Sequence, residues 1–456
     1  MQPQTVEPAW PLEETETPQA EVRWSLARRI GFRFLFSYLV LFFLTGQEIA
    51  NVPGTWLLFE KYTAFWHAIA VWVGRHLFHI QYEIVMNGMG SGDTTFRWIL
   101  LPCYLALAAF AAAVWSVLDR RRTEYRRLWA WLRLLLRFTV GVAMIVYGLS
   151  KVIPMQMPAP RLGTLQQPVG DLTPMRLLWT FMGASPAYET FTGLAELLGG
   201  VLLLVPRTTL LGALVCAADM TMVFMLNLCY DVPVKIMSFH YLMMSLLLVA
   251  PDVPRLFDLF IRNRPVPPSA GEPALFASRR LDRGVQAAFF LLGLLMIGMG
   301  FYEIVPFYRE RNPPHPPLYG IWSVEEFQAD GRVVPPFTEP ESWRRVTFQN
   351  PGTIGTTMGV ELMIGKRQGY AVTLDPAQTR LTLHKTQRDE KGMPVLDANK
   401  NPQTVPGWQA ELAVAHPEPD VLVLEGLLDG RRTRAKLRKV PLLGRSFHWI
   451  LDPPKE

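Results

Sequence analysis

Residues 187–251 decide the fold of this chain. The stretch reads A-Y-E-T-F-T-G-L-A-E-L-L-G-G-V-L-L-L-V-P-R-T-T-L-L-G-A-L from Ala187 to Leu214, then D-M-T-M-V-F-M-L-N-L-C-Y-D-V-P-V-K from Asp219 to Lys235, and ends in another apolar run. Three runs of membrane length are separated by a few residues, and carboxylates lie inside two of them. A carboxylate at mid-bilayer depth costs a few kcal/mol or more unless it is paired or faces a cavity. The stretch therefore predicts spanning helices and a polar site between them.

The composition extends this prediction to most of the chain. Half of the 456 residues are hydrophobic, and before Pro306 they collect in runs of about 17–22 residues, the length that crosses a bilayer. From Leu318 onward there are 18 Lys and Arg against 17 Asp and Glu, which leaves 27 against 22 in the preceding part. The positive excess therefore belongs to the membrane part, which is typical of positive-inside loops and argues against nucleic acid as a partner.

The predicted architecture is a multi-pass helical bundle of the cell inner membrane, in contact with the lipid bilayer. Arg-rich loops such as D-R-R-R-T-E-Y-R-R, which begins at Asp119, place the N-terminus in the cytoplasm and the C-terminus outside. Residues 1–24 are predicted to be a disordered cytoplasmic tail and 25–306 a membrane domain. The seven predicted spans are about 30–50, 98–118, 134–153, 188–205, 208–229, 234–250 and 284–304.

Residues 55–85 predict a helix that lies in the membrane interface or packs on the bundle, because their uncharged core is too short to span. His76, His79 and Glu83 follow one another at i, i+3 and i+7 on that helix, a spacing that suits metal ligands. The competing interpretation is a hydrated polar face. All three cysteines of the chain lie in apolar runs, so the C-terminal part has no disulfide or Cys-based zinc site.

The C-terminal part predicts an antiparallel all-β domain. A Pro-rich linker at 307–317 precedes residues 318–456, where alternating runs such as W-R-R-V-T-F and D-V-L-V-L-E-G recur at short spacing. About eight strands separated by turn residues are typical of a barrel or a sandwich. The orientation of the spans makes this domain extracytoplasmic.

Glu196 and Asp219 are the first candidates for catalysis. Glu196 lies 10 residues before Pro206, and Asp219 lies 12 residues after Arg207. At about 1.5 Å per residue, both are therefore roughly 15–18 Å from the turn. Two carboxylates at one depth in low dielectric do not both ionise without a cation, and one is expected to hold a proton. The pair could form a proton, quinone or cation site. It could also be a structural hydrogen-bonded pair, or two acids on different helix faces.

A second group of polar residues is predicted at the outer ends of the spans. Lys151 and Lys235 complete the catalytic candidates, and the candidates for binding a cofactor are Glu189, Asn227, Asp231, His240 and Asp93. Pro233 breaks the helix so that Lys235 could fold onto Asp231. The group suits an anionic substrate or a quinone headgroup, or it is an interfacial ion pair that holds the turn. Asp93 ends the Gly-rich loop N-G-M-G-S-G-D-T-T, which could hold an anion on its backbone amides or could be a plain cap and turn.

Two motifs resemble a known family. Gly148-Leu149-Ser150-Lys151 at a helix end, and Gly193–Leu214 with its acidic residue, paired glycines and P-R-T-T turn, resemble the DoxX-like integral membrane proteins. The resemblance implies a four-helix core and an association with thiosulfate–quinone electron transfer or thiol systems. The architecture is also similar to that of vitamin K-dependent carboxylases, which carry an extracytoplasmic β domain. Gly320-Ile321-Trp322 resembles the opening of lipocalin-like barrels.

Three functional hypotheses follow. The first is a membrane component of a redox, quinone or thiol-linked system, with a redox or extracytoplasmic protein as its partner. The second is an enzyme similar to vitamin K-dependent carboxylases that acts on an extracytoplasmic substrate. The third is a non-enzymatic scaffold or small-molecule binder. The sequence assigns no reaction.

Overall fold

The structure is a computed structural model that describes residues 23–44, 56–86, 92–269, 271–350, 355–387, 395 and 403–442. The chain forms two compact units. The first comprises Met1–Met144, Leu198–Leu228 and Val232–Gly293, and the second comprises Ile145–Leu197, Cys229–Asp231 and Leu294–Glu456. Several long helices contribute residues to both units.

The helical part follows the predicted pattern of apolar runs. The helices are α1 (Leu26–Leu44), α2 (Trp56–His76), α3 (Thr95–Leu118), α4 (Arg126–Val152), α5 (Leu162–Leu165), α6 (Pro174–Gly183), α7 (Pro186–Leu204), α8 (Thr209–Cys229), α9 (Lys235–Val249), α10 (Val253–Phe260) and α11 (Arg279–Arg311). Short 3-10 turns occupy Val169–Asp171, Pro206–Thr208 and Ala250–Asp252.

Six helical segments in the described residues are long and apolar enough to cross a membrane, which confirms a helical membrane bundle. They are Thr95–Leu118, Arg126–Val152, Pro186–Leu204, Pro206–Cys229, Lys235–Phe260 and Arg279–Arg311. Each coincides with one of the predicted spans. The remaining predicted span, 30–50, corresponds to α1 up to Leu44, and its last residues lie outside the described part, as does most of the predicted tail.

In the first unit, α1 and α2 both pack on α3. The buried Trp66 of α2 meets Tyr104 of α3 edge to face, with ring centroids 4.7 Å apart. Gly74 lies so close to the loop after α2 that a Cβ there would be 2.5 Å from Ile84 Cδ1. The predicted helix at 55–85 is therefore shorter than expected, because the chain turns back after His76 and packs Ile84 against the helix.

Buried arginines hold the ends of helices in the first unit. Arg33 donates to Tyr125 Oη at 2.7 and 2.9 Å and to Ser116 Oγ at 2.8 Å. Arg137, only 1% exposed, donates to the carbonyl oxygens of Leu203 at 3.0 Å and Leu204 at 3.2 Å. The last carbonyl groups of a helix have no intrahelical donor, so this guanidinium serves as a C-terminal cap for α7.

A third buried arginine, Arg133, is paired with a carboxylate. Arg133 makes a two-point ion pair with Glu272, with Nε to Oε2 at 2.9 Å and Nη2 to Oε1 at 2.5 Å. Its Nη1 donates to Leu248 O at 3.0 Å. Both partners come from segments more than 100 residues away, so Arg133 ties α4 to the end of α9 and to the loop before α11.

The C-terminal part of the second unit is a closed antiparallel β-barrel. The strands are β1 (Gly320–Ala329), β2 (Arg332–Val333), β3 (Trp343–Gln349), β4 (Thr357–Leu362), β5 (Arg367–Leu374), β6 (Arg380–Lys385), β7 (Ala410–Glu418), β8 (Val421–Leu428) and β9 (Arg431–Lys439). Sequential neighbours pair from β3 to β9, and β1 closes the barrel by pairing with both β3 and β9. The short β2 pairs only with β1. A barrel of eight strands is thus confirmed.

The barrel interior is filled by side chains because apolar residues alternate along its strands. Burial alternates strictly in β4 and in the first half of β7, and Val346, Met358, Tyr370, Leu383, Leu412 and Leu424 belong to one buried cluster. Trp322 of the Gly-x-Trp motif lies in this cluster and donates to Leu318 O at 3.0 Å, while Lys439 Nζ lies 5.7 Å from its ring centroid. Outside, Glu325 pairs with Arg438 and, at 3.3 Å, with Lys436.

The connection between the last span and the barrel differs from the predicted linker. Helix α11 passes through Pro306 and ends at Arg311, so the non-helical connection is confined to the Asn-Pro-Pro-His-Pro-Pro segment and the few residues after it. A proline in a helix removes one hydrogen bond and can be accommodated when the preceding turns are stable. The apolar length of α11 provides that stability.

Candidate functional site

The candidate site lies where α4 and α7 cross in the second unit. A Cβ at Gly148 would lie 2.7 Å from Leu197 N, and a Cβ at Gly193 would lie 2.6 Å from Val152 N. The two backbones are therefore in direct contact, which only glycine permits. Small residues are the usual means of close helix approach in membranes.

The two glycines bring a lysine and a glutamate together. Lys151 follows Gly148 by three residues, and Glu196 follows Gly193 by three, so each charged side chain lies on the same helix face as its glycine. Lys151 Nζ donates to Glu196 Oε1 in an ion pair whose side chains are only 7% and 4% exposed. The pair is a direct consequence of the glycine contact.

A second carboxylate, Glu189, belongs to the same site. It lies in the first turn of α7, seven residues before Glu196, and its exposure is 0%. Its Oε1 accepts from the backbone N–H of Met157 at 2.9 Å, and it interacts electrostatically with Lys151. A carboxylate at a helix N-terminus and a lysine at a helix C-terminus are both favoured by the helix dipole. We call Lys151, Glu189 and Glu196 the Lys151 site.

The charges of the Lys151 site do not balance when all three groups are ionised. Two carboxylates and one ammonium sum to one negative charge, and an uncompensated charge in a low-dielectric interior is strongly disfavoured. Glu189 Oε2 and Glu196 Oε2 are buried and make no hydrogen bond to any described residue. One bound proton, or one ligand that donates hydrogen bonds to these oxygens, would balance the site.

Asp93 and Lys235, which belong to the first unit, meet at the start of α9. Asp93 Oδ2 accepts from the backbone N–H of Lys235 at 2.7 Å, and its Oδ1 accepts from that of Ile236 at 3.1 Å. Lys235 Nζ is 3.9 Å from Asp93 Oδ2. The amides of Gly92 and Asp93 donate to Pro233 O at 2.9 and 3.0 Å. These two amides are occupied by protein, and Asp93 caps a helix that begins 142 residues later.

Asn227 and His240 make structural contacts in the first unit. Asn227 Nδ2 donates to Ser238 Oγ at 2.9 Å, which links α8 to α9. The His240 ring stacks on Phe42 with centroids 3.8 Å apart. Its Nδ1 is 2.7 Å from Ile236 O and its Nε2 is 2.7 Å from Tyr38 Oη, so the Nδ1–H tautomer satisfies both contacts. Binding of a cofactor by these residues stays a prediction.

Asp219 lies on α8 and Asp231 in the turn after it, and a role for either of them together with the Lys151 site stays a prediction. Asp219 is half-buried on α8, and the described ion pair of Glu196 is with Lys151. Asp231 is exposed in the turn after α8 with φ +50°. Because α2 ends at His76, both His79 and Glu83 lie in the following loop rather than on its helical face. Among the described residues, no three His, Cys, Asp or Glu side chains are placed to hold a metal ion.

The sequence analysis named the members of the Lys151 site without predicting the Lys151–Glu196 ion pair. It named Lys151, Glu189 and Glu196 but compared Glu196 with Asp219 by depth alone, which ignores the rotation of each helix about its axis. The usable signal was the repeated spacing of a glycine and a charge in Gly148-Leu149-Ser150-Lys151 and Gly193-Leu194-Ala195-Glu196. Two helices that each carry a glycine followed three residues later by a charge can pack closely at the glycines and pair the opposite charges.

Comparison with known proteins gives one informative relative. The uncharacterized protein YwoB of Bacillus subtilis (strain 168) is 32% identical to this chain over 155 residues, which is 32% of this chain and 90% of YwoB. The chain belongs to the YwoB family. The match covers about a third of this chain, so most of it has no counterpart in YwoB. No family model matches the chain, and no solved structure matches it. Membership in the DoxX-like group stays a prediction, and the YwoB relationship carries no activity with it.

Proposed function

We propose that this chain is an inner-membrane component of a redox system, in which the Lys151 site binds a proton and the headgroup of a lipid-soluble quinone. The observation that supports this proposal is the pair of buried carboxylate oxygens, Glu189 Oε2 and Glu196 Oε2, beside a single ammonium group. A quinol donates hydrogen bonds from its two hydroxyl groups, and a quinone oxygen accepts a hydrogen bond from an ammonium or a protonated carboxyl. The donors and acceptors of both forms therefore suit the site.

In this proposal, the Lys151 site binds the quinone headgroup and exchanges protons with it. Oxidation of a quinol to a quinone releases two protons and two electrons. The carboxylates can hold one of these protons, which brings the Lys151 site from one negative charge to neutrality, and the second proton leaves to solvent. Electrons pass between the quinone and a partner redox protein. In this proposal the barrel lies outside the membrane, as the distribution of Arg-rich loops predicts, and recruits that partner.

Binding of a short-chain quinone to the full-length protein in lipid nanodiscs tests the proposal. Quenching of tryptophan fluorescence should saturate with the wild-type protein, and Glu196→Gln should weaken binding roughly tenfold or more, since a hydrogen bond to a charged group contributes about 1.5–3 kcal/mol. Glu303→Gln is the matched control, because Glu303 lies exposed on α11. Equal binding by both variants would contradict the proposal.

Proton binding by the site is measured independently of quinone. Infrared difference spectra of the same nanodiscs across a pH titration should show a protonated carboxyl band. That band should be lost in Glu189→Gln or in Glu196→Gln and should persist in Glu303→Gln. A spectrum that neither site variant changes would remove the proton-binding part of the proposal.

A further inference from the structure

A cavity in the second unit contains three arginine side chains. Its volume is about 560 Å³, and Arg161, Arg176 and Arg311 contribute to its wall. No aspartate or glutamate is among the described residues that line it. The volume is within the range of about 300–1,000 Å³ that small-molecule sites occupy. A cavity of this size with one sign of charge favours an anion.

The three arginines come from separate parts of the chain. Arg161 precedes α5, Arg176 lies in the first turn of α6, and Arg311 is the last residue of α11. None of them makes an ion pair with a described residue, and the Arg311 guanidinium lies 4.8 Å from the Phe307 ring centroid. Their charges are thus left for a ligand to compensate.

The arginines are close enough to affect one another. Although the Arg161 side chain is exposed, partial desolvation lowers the pKa of Arg161, and the positive charges of Arg311 and Arg176 lower that pKa further. Like charges that share one cavity repel one another. An anion in the cavity would convert this repulsion into attraction.

The position of Arg176 adds to the positive potential. Thr173 caps α6 by accepting from the Arg176 backbone N–H at 3.2 Å, so the cation lies at the helix end that already carries a partial positive charge. A positive side chain at that end is unfavourable, whereas an anion is favourable. Because Arg176 is exposed, water screens its charge, and an anion bound beside it would interact favourably with both the guanidinium and the helix end.

The remaining wall is aromatic and proline-rich. His315 stacks on Tyr319 with centroids 3.7 Å apart, and Trp179 is fixed by its hydrogen bond to Gln156 O at 3.1 Å. Five prolines complete this surface: Pro154, Pro158, Pro160, Pro313 and Pro314. Rigid apolar walls around a cationic centre suit an organic molecule that carries a charged group, rather than a bare ion.

We propose that this cavity binds the phosphate group of an organic ligand through Arg161, Arg176 and Arg311. Guanidinium groups bind phosphate with paired hydrogen bonds of fixed geometry, which lysine cannot make. The ligand has two possible sources, the headgroup of an anionic phospholipid or a water-soluble phosphorylated compound. The proposal is independent of the quinone site, because it uses none of the residues of the Lys151 site.

The test measures the binding of a phospholipid and of inorganic phosphate to the full-length protein. In one arm, native mass spectrometry measures phosphatidylglycerol binding to protein released from mixed nanodiscs. In the other arm, calorimetry measures inorganic phosphate binding in nanodiscs of phosphatidylcholine alone. Arg311→Gln is compared with Arg309→Gln, which removes the same charge from an exposed position of the same helix turn but outside the cavity.

The expected result is a loss of affinity of roughly tenfold or more in Arg311→Gln, in the arm that matches the ligand source, with no loss in Arg309→Gln. Loss in the lipid arm alone assigns a phospholipid headgroup, and loss in the phosphate arm assigns a soluble ligand. Arg176→Lys, which keeps the charge but removes the paired hydrogen bonds, should weaken binding and leave the fold intact. Equal affinities for wild type, Arg311→Gln and Arg176→Lys in both arms would overturn the proposal.

Discussion

At the scale of single residues, the Lys151–Glu196 ion pair makes a prediction that distinguishes it from a surface pair. Lys151→Met should destabilise the protein by about 3–5 kcal/mol, because it leaves two carboxylates in a buried site without a cation. Lys151→Met combined with Glu196→Gln should recover much of that loss, since no unpaired ionised partner remains. Denaturation of the four proteins of this double-mutant cycle in lipid nanodiscs measures the coupling. Additive losses would contradict a direct pair.

Asp375 provides a pH prediction in the barrel. Its Oδ1 accepts from the backbone N–H groups of Arg380 and Thr379, both at 2.7 Å. The Arg380 N–H first, and the Thr379 contacts after it, lower the pKa of Asp375 below its usual value. Because the folded pKa is depressed, the carboxylate contributes stability that is present above about pH 4 and is lost as the pH falls through the folded pKa.

The variant Asp375→Asn should therefore lose less free energy of unfolding than the wild type when the pH is lowered. Unfolding by denaturant, followed by the β-sheet circular dichroism signal, is compared at about pH 6 and about pH 3. Glu341→Gln is the control, because Glu341 is exposed and makes no hydrogen bond to a described residue. The idea fails if the wild type and Asp375→Asn lose stability equally on acidification.

At the scale of elements, the crossing of α4 and α7 depends on two glycines. A Cβ at Gly193 would meet Val152 N, Gly148 O and Lys151 Cβ at 2.6–2.7 Å. Two of these three are backbone atoms, so the helices must separate. Gly193→Ala should destabilise the protein by about 1–3 kcal/mol through overpacking, and should loosen the Lys151–Glu196 contact as well.

Gly298 on α11 provides the control for that prediction, since no atom lies within 4 Å of a Cβ placed there. Gly298→Ala should be neutral or stabilise by about 0.5–1 kcal/mol, because alanine loses less backbone freedom in a helix. Thermal unfolding in nanodiscs compares the two variants. Equal effects of Gly193→Ala and Gly298→Ala would show that the helices do not touch at Gly193.

The elements differ in how far the sequence predicts them. Strand alternation is local, so runs such as W-R-R-V-T-F predicted β3 and its neighbours, and spans followed from length alone. Asp93 shows the limit, because its role as a cap of α9 depends on a contact between residues 142 positions apart. The same limit applies to Glu196, whose partner depends on the rotation of α4 and α7, and to the three arginines of the cavity, which share no spacing in the sequence.

At the scale of the whole molecule, the six described spans and the Arg-rich loops predict one orientation. The loop from Asp119 to Tyr125 precedes α4 and contains three consecutive arginines, so the positive-inside rule predicts that it is cytoplasmic. Five segments follow that loop and are long enough to cross: α4, α7, Pro206–Cys229, Lys235–Phe260 and α11. Five crossings, an odd number, would put the barrel on the opposite side of the membrane from the loop.

Cysteine labelling in intact spheroplasts tests this orientation. In a protein whose Cys103, Cys216 and Cys229 are replaced by serine, Arg121→Cys should react with a membrane-impermeant maleimide only after permeabilisation. Gln378→Cys, in the exposed turn between β5 and β6, should react before it. The two sites are matched because both lie in exposed turns, and the result depends only on the side of the membrane. Labelling of both sites in intact cells would require an even number of crossings between them, and one of the five helices that follow the loop would then lie along the membrane surface.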